Sequence, residues 1–236
     1  TLANYQTALR SVTYLNTSDN PSTATRTVSF VVNDGTANST AATRNIAVTA
    51  VNDAPVVAAT GSALAYTEKA AATAVDPGLT VSDVDNTTLA SATVSLTAGF
   101  VSGEDILAFT NQNGIVGSWN SSTGVLTLTG SATLANYQTA LRSVTYLNTS
   151  DNPSTATRTV SFVVNDGTAN SSAATRNIAV TAVNDAPSFD AADFSIAAAV
   201  GAGNDRGYAT AVQADGKTLV AGYSSNGSNL DFLLMR

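Results

Sequence analysis

Carboxylates are the most numerous charged side chains in this sequence. The 236 residues include 17 acidic side chains, of which only Glu68 and Glu104 are glutamate, and the other 15 are aspartate. The chain has no histidine and no cysteine. Catalysis by Ser-His-Asp or Cys-His groups is therefore excluded, as is any zinc or iron site with histidine ligands. Most of the aspartates adjoin Gly, Asn, Pro or Ser, which is typical of turns.

Glu104 and Asp105 are the acidic pair that comes nearest to the machinery of a glycosidase. Residues next to each other on a strand point to opposite faces, so these two carboxylates cannot flank one glycosidic bond. The pair therefore indicates a turn followed by the start of a strand. The segment "GAGNDRG" at 201–207 looks superficially like a phosphate loop, but it lacks the Lys-Ser/Thr that should follow. We expect no enzymatic activity from this chain.

The charge balance narrows the range of partners. The net charge is −7, and the 10 basic residues are scattered along the chain, whereas nucleic-acid binding needs clustered Lys and Arg. An anionic membrane surface is disfavoured for the same reason. No apolar run approaches the ~20 residues of a membrane span, and no signal-peptide pattern opens the sequence, so we expect Thr1 to be a cut from something longer. A secreted chain without cysteine fits large bacterial surface proteins.

A long internal repeat organises the chain. Residues 1–55 and 133–187 match residue for residue, with Thr40 against Ser172 as the single difference. A repeat of this length belongs to a whole domain and not to one turn of a solenoid. We predict one complete unit over residues 56–187, preceded at 1–55 by the second half of another unit. The complete unit is long enough to bury a core of its own, whereas the isolated half is not.

Apolar and polar residues alternate in short segments of the complete unit, which predicts strands. Ala92, Val94 and Leu96 share one face of "SATVSLT", and Leu126 and Leu128 share one face of "GVLTLTG". The same alternation predicts inward positions at Val160, Phe162, Val164, Ile178, Val180 and Ala182. Turn signals such as "NSSTG" and "NDG" separate these segments. The pattern predicts an all-β fold, an antiparallel sandwich of roughly seven to nine short strands.

Two other segments differ from this pattern. At 133–144, Leu134, Tyr137 and Leu141 are spaced i, i+3 and i+7, which predicts a short helix that plugs the end of the sandwich. From residue 188 onward, "ATAVQ", "TLVAGYS" and "DFLLMR" are strand candidates, joined by the hairpin signals "ADGK" and "SNGSN". We predict that residues 188–236 begin another all-β module.

Five stretches cover nearly the whole complete unit: "YTEKA", "LTVSDVDNTTLASATVSLT", "FVSGEDILAF", the stretch from "LANYQTALR" to "SFVVNDG", and the closing "VNDAP". Through these motifs, residues 56–187 and their half-copy resemble the cadherin-like tandem repeats of large bacterial surface and secreted proteins. Such repeats are β-sandwich spacers arranged head to tail in exported, adhesin-type proteins. The tail resembles a delta-60 repeat through "AVQADGKTLVAGYS" and "DFLLMR", and repeats of that kind are thought to build propeller-like sheets. The resemblance implies an extracellular or bacterial cell-surface location, with neighbouring repeats of the same protein as partners.

The cadherin resemblance also implies calcium at the seams between modules. The acidic residue of the first strand would be Glu68, and the paired aspartates of "SDVDN" would be Asp83 and Asp85. The linker ligands would be Asn52 and Asp53 at the first seam, and Asn184 and Asp185 at the second. Ca²⁺ takes six to eight hard oxygen ligands, and these side chains offer that chemistry.

The match to the animal cadherin pattern is incomplete. Ala50 and Ala54 stand where extra oxygen ligands would be, and no acidic-Arg-acidic triplet occurs in the unit. At the first seam we expect the linker residues to meet Glu68, Asp83 and Asp85, so this seam is the one predicted to hold calcium.

Each of these features also has a purely structural interpretation. Asp83 and Asp85 could simply shape an Asx turn. Pro55 fixes its own φ and keeps Ala54 extended, which stiffens a linker with or without metal.

The sequence leaves three functions open. The first is a structural spacer and adhesion module, rigidified by calcium, within a long extracellular repeat protein. The second is a subunit of a homo-oligomer or head-to-tail fibre assembled by strand or half-domain complementation, because the apolar strand faces of residues 1–55 lack a first half to cover them. The third is binding of a glycan or cell-surface ligand, for which the single tryptophan, Trp119, is the candidate contact.

Overall fold

The computed structural model describes residues 1–185, 206–212, 217–225 and 230–235. The chain divides into two compact units, Thr1–Val183 and Asn184–Arg236. Among the described residues strands dominate both units, so the predicted all-β fold class is confirmed. In chain order the elements are α1 (Leu2–Arg10), β1 (Arg26–Phe30), β2 (Ala42–Ile46), β3 (Val56–Ala58), β4 (Leu64–Thr67), β5 (Thr73–Ala74), β6 (Thr80–Ser82), β7 (Thr88–Ala98), β8 (Asp105–Ala108), β9 (Val116–Asn120), β10 (Val125–Thr133), α2 (Leu134–Arg142), β11 (Thr145–Asn148), β12 (Arg158–Asn165), β13 (Ala174–Thr181), β14 (Arg206–Val212), β15 (Thr218–Ser225) and β16 (Leu230–Met235).

Residues 56–183 form a sandwich around one core. Its large sheet has six strands in the order β4-β13-β12-β7-β10-β9, and a three-stranded sheet β5-β11-β8 and the pair β3-β6 complete the module. Neighbouring strands are antiparallel with one exception: β4 pairs with β13 in parallel. The predicted antiparallel pattern therefore holds for the sandwich except at this edge, and the exception decides where the end of β4 lies.

The predicted inward faces are the buried ones. Val94, Leu96, Leu126 and Leu128 are buried, as are Val160, Phe162, Val164, Ile178 and Val180. Only Ala182 of the predicted set lies at the surface, because β13 ends at Thr181 and the chain leaves the sheet there. The alternation of apolar and polar residues thus predicted which side of each strand faces the core.

The predicted helix is α2, and Thr133 caps its N-terminus by accepting a hydrogen bond from the backbone N–H of Asn136. Tyr137 and Leu141 are fully buried, and Leu134 packs against the edge of the same core. The helix contacts β6, β7 and β10, so it covers the core as predicted. Among the described residues, no helix has both the length and the apolarity needed to cross a bilayer.

The core also contains an ion pair. Arg158 and Asp105 are buried, with 3.3 Å between Arg158 Nε and Asp105 Oδ2. Asp105 accepts further hydrogen bonds from the hydroxyl of Tyr146 at 2.6 Å and the side-chain amide of Asn148 at 2.8 Å. Arg158 Nη1 donates to the carbonyls of Ser154 and Ala156. Because a buried charge without such partners is very costly, these groups have to be assembled together.

All three arginines of residues 133–187 reach across to the first half of the module. Besides the Arg158 pair, Arg176 Nη1 lies 2.7 Å from the buried carboxylate of Asp76, and Arg142 Nε donates to the carbonyl of Leu79 at 2.7 Å. The first half therefore supplies carboxylates and a carbonyl, and the second half supplies guanidinium groups. The two halves are complementary in charge as well as in apolar surface.

Residues 1–55 repeat the local structure of residues 133–187 without its core. Helix α1 spans Leu2–Arg10 as α2 spans Leu134–Arg142, and the strands β1 and β2 pair as β12 and β13 do. No residue from Thr1 to Ala54 is buried. The helix and the hairpin are thus specified by local sequence, whereas burial depends on the first half of a module.

The second unit contributes an antiparallel sheet of β14, β15 and β16. These strands coincide with the three candidates of the tail. The hairpin signals "ADGK" and "SNGSN" fall largely outside the described residues.

The buried ion pair gives a first prediction. We expect Arg158→Met to lower the free energy of unfolding of the module by about 3–5 kcal/mol, because the buried Asp105 would lose its ionic partner. The measurement is urea unfolding followed through the fluorescence of Trp119, the single tryptophan.

The repeat provides a matched control for this prediction. Arg26 occupies the position of Arg158 in the first copy and bonds to the carbonyls of Ser22 and Ala24, and within the described part of the chain it forms no ion pair. Arg26→Met should therefore shift the Trp119 transition by less than about 0.5 kcal/mol. Equal effects of the two substitutions would contradict the role given to the pair.

Candidate functional site at the first linker

The linker Asn52–Pro55 enters the complete module beside the loop that follows β6. Strand β3, which begins directly after Pro55, pairs with β6, and this brings the linker next to residues 83–86. The backbone N–H of Asp53 donates to Asp85 Oδ2 at 3.0 Å. The structure thus brings together linker and loop residues that the sequence analysis selected. We call Asn52, Asp53, Asp83, Asp85, Asn86 and Asp166 the linker site.

Asn52 binds both the loop and a second loop of the module. Its Nδ2 donates to Asp166 Oδ2 at 2.9 Å, and its Oδ1 accepts from Asn86 Nδ2 at 2.8 Å. Asp166 belongs to the "NDG" turn after β12, where its Oδ1 also accepts from the backbone N–H groups of Thr168 and Ala169. One linker side chain therefore ties together two loops that are 80 residues apart in sequence, since Asn86 also reaches Asp166.

The hydrogen bonds set the ionisation of Asp166. Burial raises the pKa of this carboxyl, but hydrogen bonds from the backbone of Ala169, the side chain of Asn52 and the backbone of Thr168 together hold its pKa below the usual value. Asp34, its counterpart in the first copy, also has a lowered pKa, through the backbone N–H groups of Ala37 and Thr36. The two turns share the backbone donors, and only Asp166 has the linker asparagine as well.

Asp83 has one oxygen in a turn and one without a hydrogen-bond partner. Its Oδ1 accepts from the backbone N–H groups of Asp85 and Asn86 at 3.1 and 2.9 Å, so the Asx-turn interpretation is correct. Its Oδ2 is buried and receives no hydrogen bond. Asp83 also lines a cavity of about 400 Å³ with Asp19 and Asp53, and the remaining lining residues are Ala54, Val56, Ser82 and Val84. Three carboxylates thus line one cavity, and its lining contains no basic side chain.

Glu68 lies at the other end of the module, away from the linker site. It follows β4, whose parallel pairing with β13 places it beside Val183, and its Oε2 accepts from the Val183 backbone N–H at 2.7 Å. Asp166 stands at the opposite end of the β12–β13 hairpin, roughly 25 Å away for eight residues of strand. The expectation that Glu68 meets Asp53, Asp83 and Asp85 at the first seam is therefore wrong. The parallel edge strand, which alternation cannot reveal, is the reason.

The buried carboxylate of Glu68 faces a lysine and the start of the second linker. Lys69 Nζ lies 3.6 Å from Glu68 Oε1 and 3.6 Å from Asp151 Oδ1. In the second linker, Asn184 Nδ2 donates to the carbonyl of Asp185 at 3.2 Å. Glu68 and Asn184 thus have partners of their own, and their assignment as calcium ligands stays a prediction.

Among the described residues, no three acidic side chains converge closely enough to form a ready-made metal centre.

Sequence reasoning missed four members of this region, and one of them is Asp19, which lines the cavity with Asp53 and Asp83. Asn86 and Asp166 complete the linker site, and Asn20 of the first copy donates to the carbonyl of Val84 at 3.3 Å. The signal for Asp166 was present in "NDG", which was interpreted only as a hairpin turn. Its position beside the linker could be recognised only by knowing that β12 and β6 end at the same side of the module.

Trp119, the candidate glycan contact, packs on the sandwich. It lies on the edge strand β9 opposite Leu126, and its ring meets that of Phe100 edge to face with 6.3 Å between centroids. It is partly buried against the core. The ring is thus occupied on one side by the protein itself.

Comparisons with known proteins give one similarity of limited extent. No protein-family model matches the chain. Over 106 residues, or 43% of the chain, it is 39% identical to Halomucin from Haloquadratum walsbyi. The matching part spans only 1% of the length of that protein.

The linker site gives a second prediction. Asn52→Ala should raise the pKa of Asp166, because one hydrogen bond to the charged carboxylate is lost. The measurement is an NMR titration of the side-chain carboxyl groups. Asp34, which has the same turn without a linker asparagine, is the control within the molecule, and Asn184→Ala is the matched control variant. A change in the pKa of both Asp166 and Asp34, or of neither, would contradict the assignment.

The same hydrogen bonds make the module sensitive to acid. Since the folded pKa of Asp166 is lowered, its stabilisation is present above the ordinary Asp pKa of about 3.9 and is lost as the pH falls through the folded value. Asn52→Ala should therefore lose less stability than the wild type between neutral pH and acid. The measurement is the free energy of unfolding in urea as a function of pH. If it falls equally for the two proteins, the Asn52–Asp166 hydrogen bond does not contribute to the acid sensitivity.

Proposed function

We propose that this chain is part of a structural spacer in a long extracellular surface protein built from repeated modules. The observation that carries the proposal is the linker site, in which Asn52 and Asp53 bond to Asn86, Asp166 and Asp85 of the following module. Such bonds restrict the angle at which the chain enters a module, as a spacer requires. The similarity to Halomucin supports the proposal, because the similar stretch of Halomucin belongs to a much longer protein.

Calcium at the linker site is the finer part of the proposal. The donor chemistry fits: Asp19, Asp53 and Asp83 line one cavity, and the buried Oδ2 of Asp83 has no hydrogen-bond partner. A divalent cation there would compensate carboxylates that no lysine or arginine of the cavity lining neutralises. Asp85 is also a hard-oxygen donor beside the cavity, although its Oδ2 already accepts from the backbone of Asp53. The ion would supply rigidity and no chemistry.

The proposal assigns no catalytic step and no glycan to this chain. Asp105 is the buried carboxylate that most resembles a catalytic acid. It pairs with Arg158 and accepts hydrogen bonds from Tyr146, Asn148 and the backbone N–H of Val101. The ring of Trp119 packs edge to face against the ring of Phe100. In this proposal these residues support the stability of the module.

Calcium binding gives a third prediction. A cation that binds only the folded module should raise its stability by about 2.7 kcal/mol at a hundredfold excess over Kd. We expect a higher melting temperature of the full chain with Ca²⁺ than with chelator. Asp83→Asn should abolish the increase, since the amide keeps the Oδ1 that caps the turn and removes the charge of Oδ2.

The control for this prediction is a charge change outside the site. Asp34→Asn makes the same substitution in an exposed turn of the first copy, and it should leave the calcium response intact. A melting temperature that does not respond to Ca²⁺ in the wild type would remove the metal from the proposal. The spacer role would then rest on the hydrogen bonds of the linker site alone.

A further inference from the structure

We propose that residues 1–55 form an acceptor face for the first half of a like module, a segment with the sequence of residues 56–132. The proposal goes beyond the spacer role, because it identifies an interaction surface and the polypeptide that fits it. We call this surface, formed by α1, β1 and β2, the acceptor face.

The apolar part of the acceptor face is exposed where its second copy is covered. Tyr5 and Tyr14 are 62% and 45% exposed, whereas their counterparts Tyr137 and Tyr146 are fully buried.

Strand β1 shows the same difference from its copy β12. Val28 and Phe30 are only half-buried, whereas their counterparts Val160 and Phe162 are inaccessible. In the second copy, residues 56–132 provide the covering surface. The acceptor face therefore has a known complement of known sequence.

The charged part of the face selects the same complement. Arg26 corresponds to Arg158, which holds Asp105, and Arg44 corresponds to Arg176, which holds Asp76. Arg26 already donates to the carbonyls of Ser22 and Ala24, as Arg158 does to those of Ser154 and Ala156. Its guanidinium group is thus oriented for a carboxylate. A partner needs two acidic groups at the spacing of Asp76 and Asp105, together with apolar strands.

The chain's own residues 56–132 cannot cover the acceptor face. In a completed module the second half ends at Val183, and the first half begins at Val56 near the opposite end, about 25 Å away along β13. If residues 56–132 packed on residues 1–55 in the same way, the chain between Val51 and Val56 would have to span about 25 Å. Five Cα steps reach at most roughly 18 Å, so the linker is too short.

A second copy of the chain does not solve the problem either. Each copy carries two acceptor halves, residues 1–55 and 133–187, and one donor half, residues 56–132. Exchange of donors between copies leaves the number of completed modules unchanged. A head-to-tail fibre of this chain alone would therefore gain no buried core. The occupant must be an additional first half that is not already closed on its own second half.

The test adds such a half to the full chain. A further copy of residues 56–132 is fused directly before Thr1, and amide hydrogen exchange of residues 27–30 is compared with that of the unfused chain. We expect protection of these amides to rise by at least ~10³-fold, as for amides in a module core. No gain in protection on fusion would overturn the proposal.

A charge exchange distinguishes specific complementation from non-specific packing. In the fused chain, Asp105→Arg within the added copy should remove the protection of residues 27–30, and Arg26→Asp in addition should restore it. Protection that survives the first substitution would show that the ion pair does not select the partner. Protection that appears in the unfused chain as its concentration rises would show that a second copy is the occupant, and would also overturn the proposal.

Discussion

The ion pair between Asp105 and Arg158 joins the two halves of the module inside its core. Both groups are withdrawn from water, so loss of either half of the module would expose the core and leave the charged group of the other half without its ionic partner. Burial, followed by the hydrogen bond and charge of Asp105, raises the pKa of Tyr146 above its usual value. Tyr146 therefore remains a hydroxyl donor at any physiological pH. The pair makes two sequence halves into one cooperative unit.

The ends of the module are chemically different, and this follows from its topology. At the end where the chain enters, Asp83, Asp85 and Asp166 gather around the linker. At the end where the chain leaves, Glu68 receives the N–H of Val183. In an array of such modules, each seam would combine the exit end of one module with the entry end of the next. The carboxylates predicted to lie together in one seam are thus divided between two.

Local patterns in the sequence identified four of the eleven strands of the complete module and its helix, but not the pairing partners of these elements. Alternation identified the buried faces of β7, β10, β12 and β13, and the spacing of Tyr137 and Leu141 identified α2, because these properties repeat within a few residues. The location of Glu68 depends on the parallel pairing of β4 with β13, more than 100 residues away in sequence. The Asp105–Arg158 pair and the Asn52–Asp166 bond are equally non-local. No periodicity could have indicated them.

The two copies of one sequence separate what is local from what is not. Asp34 and Asp166 make the same turn and both have lowered pKa values, since their backbone donors come from the turn itself. Arg26 and Arg158 keep the same backbone partners, yet only Arg158 is buried and paired. Conformation is therefore encoded within the 55 residues, while burial, charge pairing and hence most of the stability come from the other half. The 55 residues of such a repeat specify its local conformation, and the first half of the module supplies the burial and the charge partners that stabilise it.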